Sequence, residues 1–275
     1  MLKGIGFMAA LGVLTTGYSI FGERYWMETK QVSLTFPKLP KTFAGMRMVQ
    51  FSDVHLGKYY KKERLESLVT EIMMLKPDLI SFTGDLFDIY DGEPTDEIIP
   101  ILAKLSAPYG KFAVVGNHDH ASGLSEVTSI LKKSGFCVLI NDQEIVELKG
   151  QRIRIVGVDD MFLGKPNVQA ALQDVEEQLF TLLLSHAPDY ADQASHFPID
   201  LQLSGHSHGG QVRIPVIGAL TTPKFGQKYV QGLYKVKDSK LLVYVNRGIG
   251  TTHLPIRLFC RPEITVFTFL ALERK

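Results

Sequence analysis

Five short apolar runs in this chain each lead into an aspartate, an asparagine or a histidine. The runs RMVQF, DLISF, FAVV, TLLLS and LQL lie between residues 47 and 203. Runs of this length are typical of buried strands, and helix-like segments such as residues 61–76 alternate with several of them. The alternation predicts an α/β domain with partly parallel sheets. Because sites in such folds form at the carboxyl ends of strands, the polar ends predict one common site.

The polar residues at these strand ends suit a divalent metal. They offer carboxylates, imidazoles and an amide oxygen but no thiolate, which favours borderline ions such as Mn²⁺, Fe²⁺ or Zn²⁺. Two pairs have a spacing of two residues, so each pair can point the same way in an extended segment. Glycines beside GHSH let the backbone approach a ligand closely. The residues at the five ends are Asp53, His55, Asp85, Asn117, His118, Asp119, His186, His206 and His208.

Composition and charge narrow the function classes. The 275 residues are 45% hydrophobic and 21% charged, which is enough for one core and one main domain. The net charge is +1, and no basic tail or charge block is present. We therefore expect no nucleic-acid partner, because proteins that bind nucleic acids carry a basic patch or stripe.

The N-terminal segment GIGFMAALGVLTTGYSIFG, residues 4–22, carries no charge. It is long enough to cross a bilayer core of roughly 30 Å, although five glycines and four hydroxyl residues moderate its hydrophobicity. We expect residues 1–25 to be a membrane anchor or signal-anchor; a cleaved signal peptide and a buried helix are the alternatives. Residues 26–45 then form a polar neck before the main domain at 46–275, and deletion of residues 1–30 leaves that domain intact. The predicted location is the cell membrane, single-pass, with the main domain favoured outside the cytoplasm.

Five sequence blocks, SDVHLG, TGDLFD, GNHD, SHAP and GHSHGG, resemble the motifs of the calcineurin-like metallophosphoesterases. The resemblance covers about residues 46–250. The tail NRGIGTTHLPIRLFCRPEI and the N-terminal segment are similar to those of a membrane-associated bacterial phosphodiesterase subgroup. The resemblance implies a four-layer α/β/β/α sandwich with a two-metal centre. It places one ion on Asp53, His55, Asp85 and His208, and a second on Asp85, Asn117, His186 and His206.

The resemblance also implies catalytic roles. A hydroxide between the two ions attacks phosphorus, His118 donates a proton to the leaving oxygen, and Asp119 orients His118. Candidate substrate contacts are Lys58, His120 and Arg247, each of which also fits a plain surface role.

The predicted function is a membrane-anchored dinuclear-metal phosphodiesterase or pyrophosphohydrolase. Its expected substrate is a lipid or envelope phosphoester, such as a UDP-diacylglucosamine type. Alternatives are a nuclease or nucleotide phosphodiesterase of the same fold, or a non-catalytic membrane-associated protein with a vestigial metal site. A protein-phosphatase reading is disfavoured because Ile89 stands where those enzymes carry an arginine. The segment VRIPVIGALTTPKFGQKYV is either a lobe for lipid or apolar tails, or an irregular β-rich extension of the core.

Overall fold

Two six-stranded mixed sheets form the centre of the structure, a computed structural model. It describes residues 2–89, 95–172 and 178–272, and the side chains of residues 12–89, 96–172 and 178–272. The helices of the described residues are α1 (Leu2–Phe21), α2 (Lys62–Met74), α3 (Thr95–Ala103), α4 (Asn117–Ala121), α5 (Leu124–Lys133), α6 (Val168–Ala171) and α7 (Ala191–Ala194). The strands are β1 (Glu28–Phe36), β2 (Arg47–Phe51), β3 (Leu79–Phe82), β4 (Lys111–Ala113), β5 (Cys137–Val138), β6 (Asp142–Leu148), β7 (Gln151–Gly157), β8 (Thr181–Leu184), β9 (Leu201–Ser204), β10 (Arg213–Ile214), β11 (Gly218–Ala219), β12 (Gly232–Lys235), β13 (Leu242–Val245) and β14 (Glu263–Ala271).

Strand order and direction confirm the predicted partly parallel architecture. The first sheet has the order β1-β14-β2-β3-β4-β5, and the second has the order β12-β13-β9-β8-β7-β6. Strands β2 to β5 are mutually parallel, and so are β7, β8, β9 and β13. Antiparallel strands flank these parallel blocks, with β14 beside β2 and β6 beside β7. The short hairpin β10–β11 lies outside both sheets.

Three apolar clusters hold the layers together. Side chains such as Met48 of the first sheet and Leu182 of the second pack between the two sheets. Helices α2, α3 and α5 cover the outer face of the first sheet, while α6 and α7 cover that of the second. The layers therefore run helices, sheet, sheet, helices, as the family resemblance implies. The buried face of α2 follows from its sequence, because Leu65, Leu68 and Ile72 recur at helical spacing.

The segment expected to be a neck contributes a strand to the first sheet. Strand β1 pairs in parallel with β14 along its whole length, from Glu28 opposite Glu263 to Phe36 opposite Ala271. Just before it, Arg24 is buried, and its guanidinium donates to the carbonyls of residues 59 and 255. Residues 23–36 are thus tied to the main domain by Arg24 and by the pairing of β1 with β14, and a deletion of residues 1–30 would remove part of these contacts.

Helix α1 precedes this packed region and has 20 residues. Val13, Leu14 and Phe21 on it are exposed, and the side chains of residues 2–11 lie outside the described set. Within the part of the chain that was described, no helix is long and apolar enough to cross a membrane, so the predicted transmembrane anchor finds no support there.

A buried arginine shapes the loop that follows β13. Arg257 is fully buried, and its guanidinium donates to the carbonyl oxygens of Arg247, Gly248, Gly250 and Cys260. Its planar fork of donors suits such a cluster of carbonyls, which a lysine could satisfy only in part. The loop is therefore held in one shape, and it continues into β14.

The same loop braces the chain that follows β2. The backbone N–H groups of Ile249 and Gly250 donate to the carbonyls of Ser52 and Asp53. The loop is also tied to the N-terminal helix, because the Arg257 N–H donates to the Ser19 carbonyl.

We predict that Arg257→Ala lowers the free energy of unfolding by roughly 3 kcal/mol or more, because it leaves several buried carbonyls without donors. Chemical denaturation monitored by circular dichroism measures the change. The matched control is Arg261→Ala, which removes a partly exposed guanidinium and should cost at most about 1 kcal/mol. Equal losses in the two variants would contradict the bracing role of Arg257.

Candidate metal centre

Strands from both sheets end at one edge of the sandwich, and the predicted ligands lie there. Asp53 follows β2, Asp85 follows β3 and Asn117 follows β4, while His186 follows β8 and His206 follows β9. The carboxyl ends of parallel strands share an edge, which explains why residues so distant in the chain meet. The structure brings together all seven predicted ligands, namely Asp53, His55, Asp85, Asn117, His186, His206 and His208.

Asp53, His55 and His208 form the first cluster, and all three side chains are buried. The Nε2 atoms of His55 and His208 are 3.0 Å apart. The Oδ1 atom of Asp53 lies 3.4 Å from Nε2 of His208 and 3.9 Å from Nε2 of His55. Three potential ligand atoms therefore face one small volume.

Asp85, His186 and His206 form the second cluster. Nε2 of His186 lies 3.1 Å from Oδ2 of Asp85, 3.1 Å from Nδ1 of His206 and 3.2 Å from Oδ1 of Asn117. Oδ2 of Asp85 is also 3.7 Å from Nε2 of His55 in the first cluster. Asp85 thus lies between the clusters, where a bridging ligand would be needed.

The backbone reaches these positions through left-handed turns rather than through extended segments. The φ angles are 52° at Asp53, 51° at His55, 61° at Asp85, 66° at His206 and 52° at His208. Non-glycine residues pay of order 1 kcal/mol each for such angles, and such residues cluster at functional sites. Asp53 and His55 share the first cluster, as their spacing of two residues predicts. His206 and His208 do not share a cluster, because His206 belongs to the second and His208 to the first, as the family resemblance implies.

Two glycines make room for the carboxylates. A Cβ atom on Gly205 would lie 2.2 Å from Oδ2 of Asp53, and one on Gly116 would lie 2.2 Å from Oδ1 of Asp85. Both distances are far below van der Waals contact, so any side chain there would displace the carboxylate. This close approach is the reason for glycine in the GNHD and SGHSH blocks.

Hydrogen bonds on the far side of two rings direct their electron pairs inward. Nδ1–H of His186 donates to the Thr83 carbonyl over 2.7 Å, and Nε2–H of His206 donates to the Lys224 carbonyl over 2.8 Å. In the neutral rings, the two nitrogens that face each other at 3.1 Å then both carry lone pairs. The two facing lone pairs repel each other unless a cation lies between them. Outer hydrogen bonds of this kind are the usual support for histidines that bind a metal ion.

The pKa directions agree with a cation site. Burial lowers the pKa of His55 to about 3 and that of His206 to about 4, and it lowers the pKa of His208 well below its ordinary value. These imidazoles are neutral at pH 7 and can bind metal without losing a proton. Burial would also lower the pKa of His186, but the charge of Asp85 raises it well above the ordinary value. The proton that His186 therefore holds can lie between His186 and His206 when no metal ion is bound. A divalent ion can replace this proton. The donor set therefore fits a divalent metal.

His118 lies beside the clusters, and a neighbouring loop orients its ring. Its Nδ1–H donates to the Asp88 carbonyl over 2.5 Å, and Oδ1 of Asp88 is 3.6 Å from the same nitrogen. Nε2 is thereby left for a substrate. The sequence pattern indicates no role for Asp88, although this residue closes the TGDLFD block three residues after Asp85.

Asp119 does not contact the His118 ring, contrary to its expected orienting role. Its carboxylate is fully buried and accepts hydrogen bonds from the backbone N–H groups of Asp85, Leu86 and Gly116. Burial, with the nearby charge of Asp85, raises the pKa of Asp119 to about 7. Asp119 therefore holds together the loops that carry Asp85 and Asn117.

The three candidate substrate contacts lie elsewhere. Arg247 is buried and donates to Glu263 and Glu28, so its guanidinium is occupied within the protein. His120 pairs with Asp159 over 2.7 Å. Lys58 is exposed, with its Nζ 5.0 Å from the centre of the Tyr59 ring. None of the three lines the cavity described next.

A cavity of about 490 Å³ opens over the two clusters. Asp85, Asn117, His118, His206 and His208 lie on its inner wall. The outer wall comes from three loops that contain Phe162, residues 221–224 and residues 252–253. A substrate in this cavity meets the clusters and the His118 ring together.

We predict that Asp85→Asn lowers the affinity for Mn²⁺ by at least about 100-fold, because it weakens the group between the two clusters. Elemental analysis after dialysis against Mn²⁺ should fall from two ions per chain to one or fewer. Asp192→Asn is the matched control, since Asp192 is a surface carboxylate paired with Lys228. Unchanged metal content in Asp85→Asn would contradict the bridging position.

Comparison with known proteins agrees with this geometry. A family model described as Calcineurin-like phosphoesterase matches residues 46–210. The chain is 40% identical over 274 residues to the uncharacterized metallophosphoesterase YkuE of Bacillus subtilis (strain 168), covering 97% of this chain and 95% of the relative. It is 30% identical over 255 residues to the phosphodiesterase YaeI of Escherichia coli (strain K12), covering 91% of each.

A further relative has a more specific name. The chain is 28% identical over 290 residues to the UDP-2,3-diacylglucosamine pyrophosphatase LpxG of Chlamydia muridarum (strain MoPn / Nigg), covering 85% of this chain and 87% of the relative. The matched family and the relatives agree with the resemblance found in the sequence. This chain therefore belongs to the calcineurin-like phosphoesterase family and is a metal-dependent phosphoric ester hydrolase.

Proposed function

We propose that this enzyme is a phosphodiesterase or pyrophosphohydrolase with two metal ions, acting on a lipid-linked phosphoester such as a UDP-diacylglucosamine type. Names of relatives support both reactions, since one is a phosphodiesterase and another a UDP-2,3-diacylglucosamine pyrophosphatase. The cavity supports a substrate larger than a phosphate group, because it extends well beyond the two clusters.

The position of His118 carries this proposal. It lines the cavity next to Asp85 and Asn117, and its Nδ1–H is held by the Asp88 carbonyl. A protonated ring held in this way presents its Nε2–H to a group bound at the clusters. An ester hydrolase needs a proton donor beside the position where the phosphate group binds, whereas a protein that only binds metal ions does not.

Each group then has a defined task. Divalent ions held by the two clusters would supply Lewis-acid stabilisation of the phosphoryl oxygens and would make water a stronger nucleophile near pH 7. His118 gives its Nε2 proton to the leaving oxygen. The amide of Asn117 binds a phosphoryl oxygen or a metal ion, and Asp119 keeps the Asp85 and Asn117 loops in place.

Purified enzyme should be assayed against phosphomonoesters, phosphodiesters and pyrophosphate diesters, with Mn²⁺, Fe²⁺ or Zn²⁺ and after chelation. We expect metal-dependent cleavage of diesters or pyrophosphates and little cleavage of monoesters. Cleavage of monoesters alone, or of no substrate at any metal loading, would contradict the proposal.

We predict that His118→Ala lowers kcat by about 10² to 10⁴, the usual effect of losing a general acid, while metal content stays unchanged. The loss should be smaller for a 4-nitrophenyl ester, because its leaving group needs little protonation. Steady-state kinetics on ester pairs with good and poor leaving groups measure this. Equal losses for both would argue against proton donation.

We also propose that α1 holds the enzyme at the membrane, with the site outside the cytoplasm. Exposed Val13, Leu14 and Phe21 on α1, and Trp26 just after it, support contact with lipid. The uncharged segment 4–22 supports export, because it resembles an export signal.

Cell fractionation and protease treatment of spheroplasts test the location. We predict that the full chain sediments with membranes and that added protease digests its main domain in intact spheroplasts. Recovery in the soluble fraction without detergent would contradict membrane attachment, and a protected main domain would place the site in the cytoplasm.

A further inference from the structure

The outer wall of the active-site cavity carries a cation and two aromatic rings that the metal chemistry does not use. Lys224 and Phe162 both line the cavity, and Phe225 connects them. The ammonium of Lys224 lies 4.6 Å from the centre of the Phe225 ring, and the rings of Phe162 and Phe225 meet edge to face at 6.0 Å.

Lys224 is held close to the metal centre through its backbone. Its carbonyl accepts the Nε2–H of His206, a predicted metal ligand, over 2.8 Å. Its side chain is exposed and, within the described residues, has no carboxylate partner. Lys228, four residues later, differs because its ammonium is paired with Asp192. Lys224 is therefore a cation free to bind an anionic group next to the clusters.

Phe162 is exposed but rigidly presented. Its side chain is 46% exposed, although the turn beneath it is fixed. The buried carboxylate of Asp160 accepts hydrogen bonds from the backbone N–H groups of Phe162 and Leu163, over 2.8 and 2.6 Å. An aromatic ring held in this way can stack against a planar group, because base stacking requires an aromatic face and no specific hydrogen bond.

We propose that Lys224 and Phe162 form a subsite for a nucleoside monophosphate group, with the phosphate on Lys224 and the base on Phe162. This inference rests on the proposed function and narrows it to diphosphate-linked substrates. A second phosphate next to the one that is attacked explains the free cation, and a base attached to it explains the exposed ring.

The corresponding reaction is hydrolysis of a P–O–P bond. A water oxygen forms a bond to the phosphorus that faces the two clusters, and the bond from that phosphorus to the bridging oxygen breaks. The bridging oxygen leaves with the electron pair on the nucleoside monophosphate. The proton that the water loses balances the one that His118 delivers. Lys224 offsets the charge that grows on the leaving phosphate.

Product inhibition tests the subsite in the full-length, metal-loaded enzyme. Uridine monophosphate (UMP), ribose 5-phosphate and inorganic phosphate are each titrated against hydrolysis of bis(4-nitrophenyl) phosphate. We expect Lys224→Ala to raise the inhibition constant of UMP by about tenfold or more, the value of a charge-assisted contact. Lys228→Ala, whose ammonium is paired with Asp192, should leave both that constant and kcat/KM for the small diester within about twofold of wild type.

Phe162→Ala separates the base from the phosphate. It should raise the inhibition constant of UMP about fivefold or more while leaving that of ribose 5-phosphate unchanged, because only UMP carries a base. Inhibition by UMP no stronger than by inorganic phosphate, or an unchanged constant in Lys224→Ala, would overturn the subsite. If Lys224→Ala lowers diester hydrolysis by the same factor as it weakens inhibition by UMP, Lys224 acts in general catalysis. That result also overturns the subsite.

Failure of the proposed function is distinguishable from failure of the subsite. If the wild-type enzyme with Mn²⁺ cleaves no diester, the proposed function fails. Calorimetric titration of UMP into the Mn²⁺-loaded wild-type enzyme and the Lys224→Ala and Lys228→Ala variants then decides the subsite alone. Tighter binding to wild type and Lys228→Ala than to Lys224→Ala supports it, and equal binding to all three overturns it.

Discussion

The close approach of two imidazole nitrogens, Nε2 of His186 and Nδ1 of His206, is the constraint on which the site depends. Outer hydrogen bonds to the carbonyls of Thr83 and Lys224 turn both lone pairs inward. Neutral rings in this position repel each other, so a proton shared with Asp85 or a metal ion must lie there. Burial lowers the pKa values of His55 and His206, while the charge of Asp85 raises that of His186, whose extra proton a divalent cation can replace.

The fold supports this arrangement from both sheets and from the N-terminal region. Left-handed turns after the strands cost free energy, and buried polar contacts offset that cost. Asp119 joins two of the turns, while Arg257 fixes the loop that contacts the turn after β2. Arg247 reaches Glu28 on β1, so the strand expected to be a neck also contributes to the support. The charged residues that support the loops, Asp119, Arg247 and Arg257, are therefore different from the predicted metal ligands.

Much of the fold and the site could be predicted from the sequence, because apolar runs mark buried strands and polar residues mark their ends. Strand β1 was missed although Val32, Leu34 and Phe36 alternate with polar residues, because its first half is polar and the prolines that follow it favoured a neck. The occupation of Arg247 by Glu28 and Glu263 could not be predicted, since it depends on how three distant segments pack. The carbonyl of Asp88 orients His118 only because the loop after β3 brings this backbone group next to the ring. The pattern of side chains in the sequence does not encode such a backbone contact.

Anomalous diffraction from crystals of the Mn²⁺-loaded protein tests whether two ions occupy this centre. We expect two peaks about 3.5–4 Å apart, the usual separation in two-metal sites, with Asp85 between them. One peak should contact Asp53, His55 and His208, and the other should contact Asn117, His186 and His206. A single peak at full metal loading, or peaks outside these clusters, would rule out a two-metal centre built on these residues.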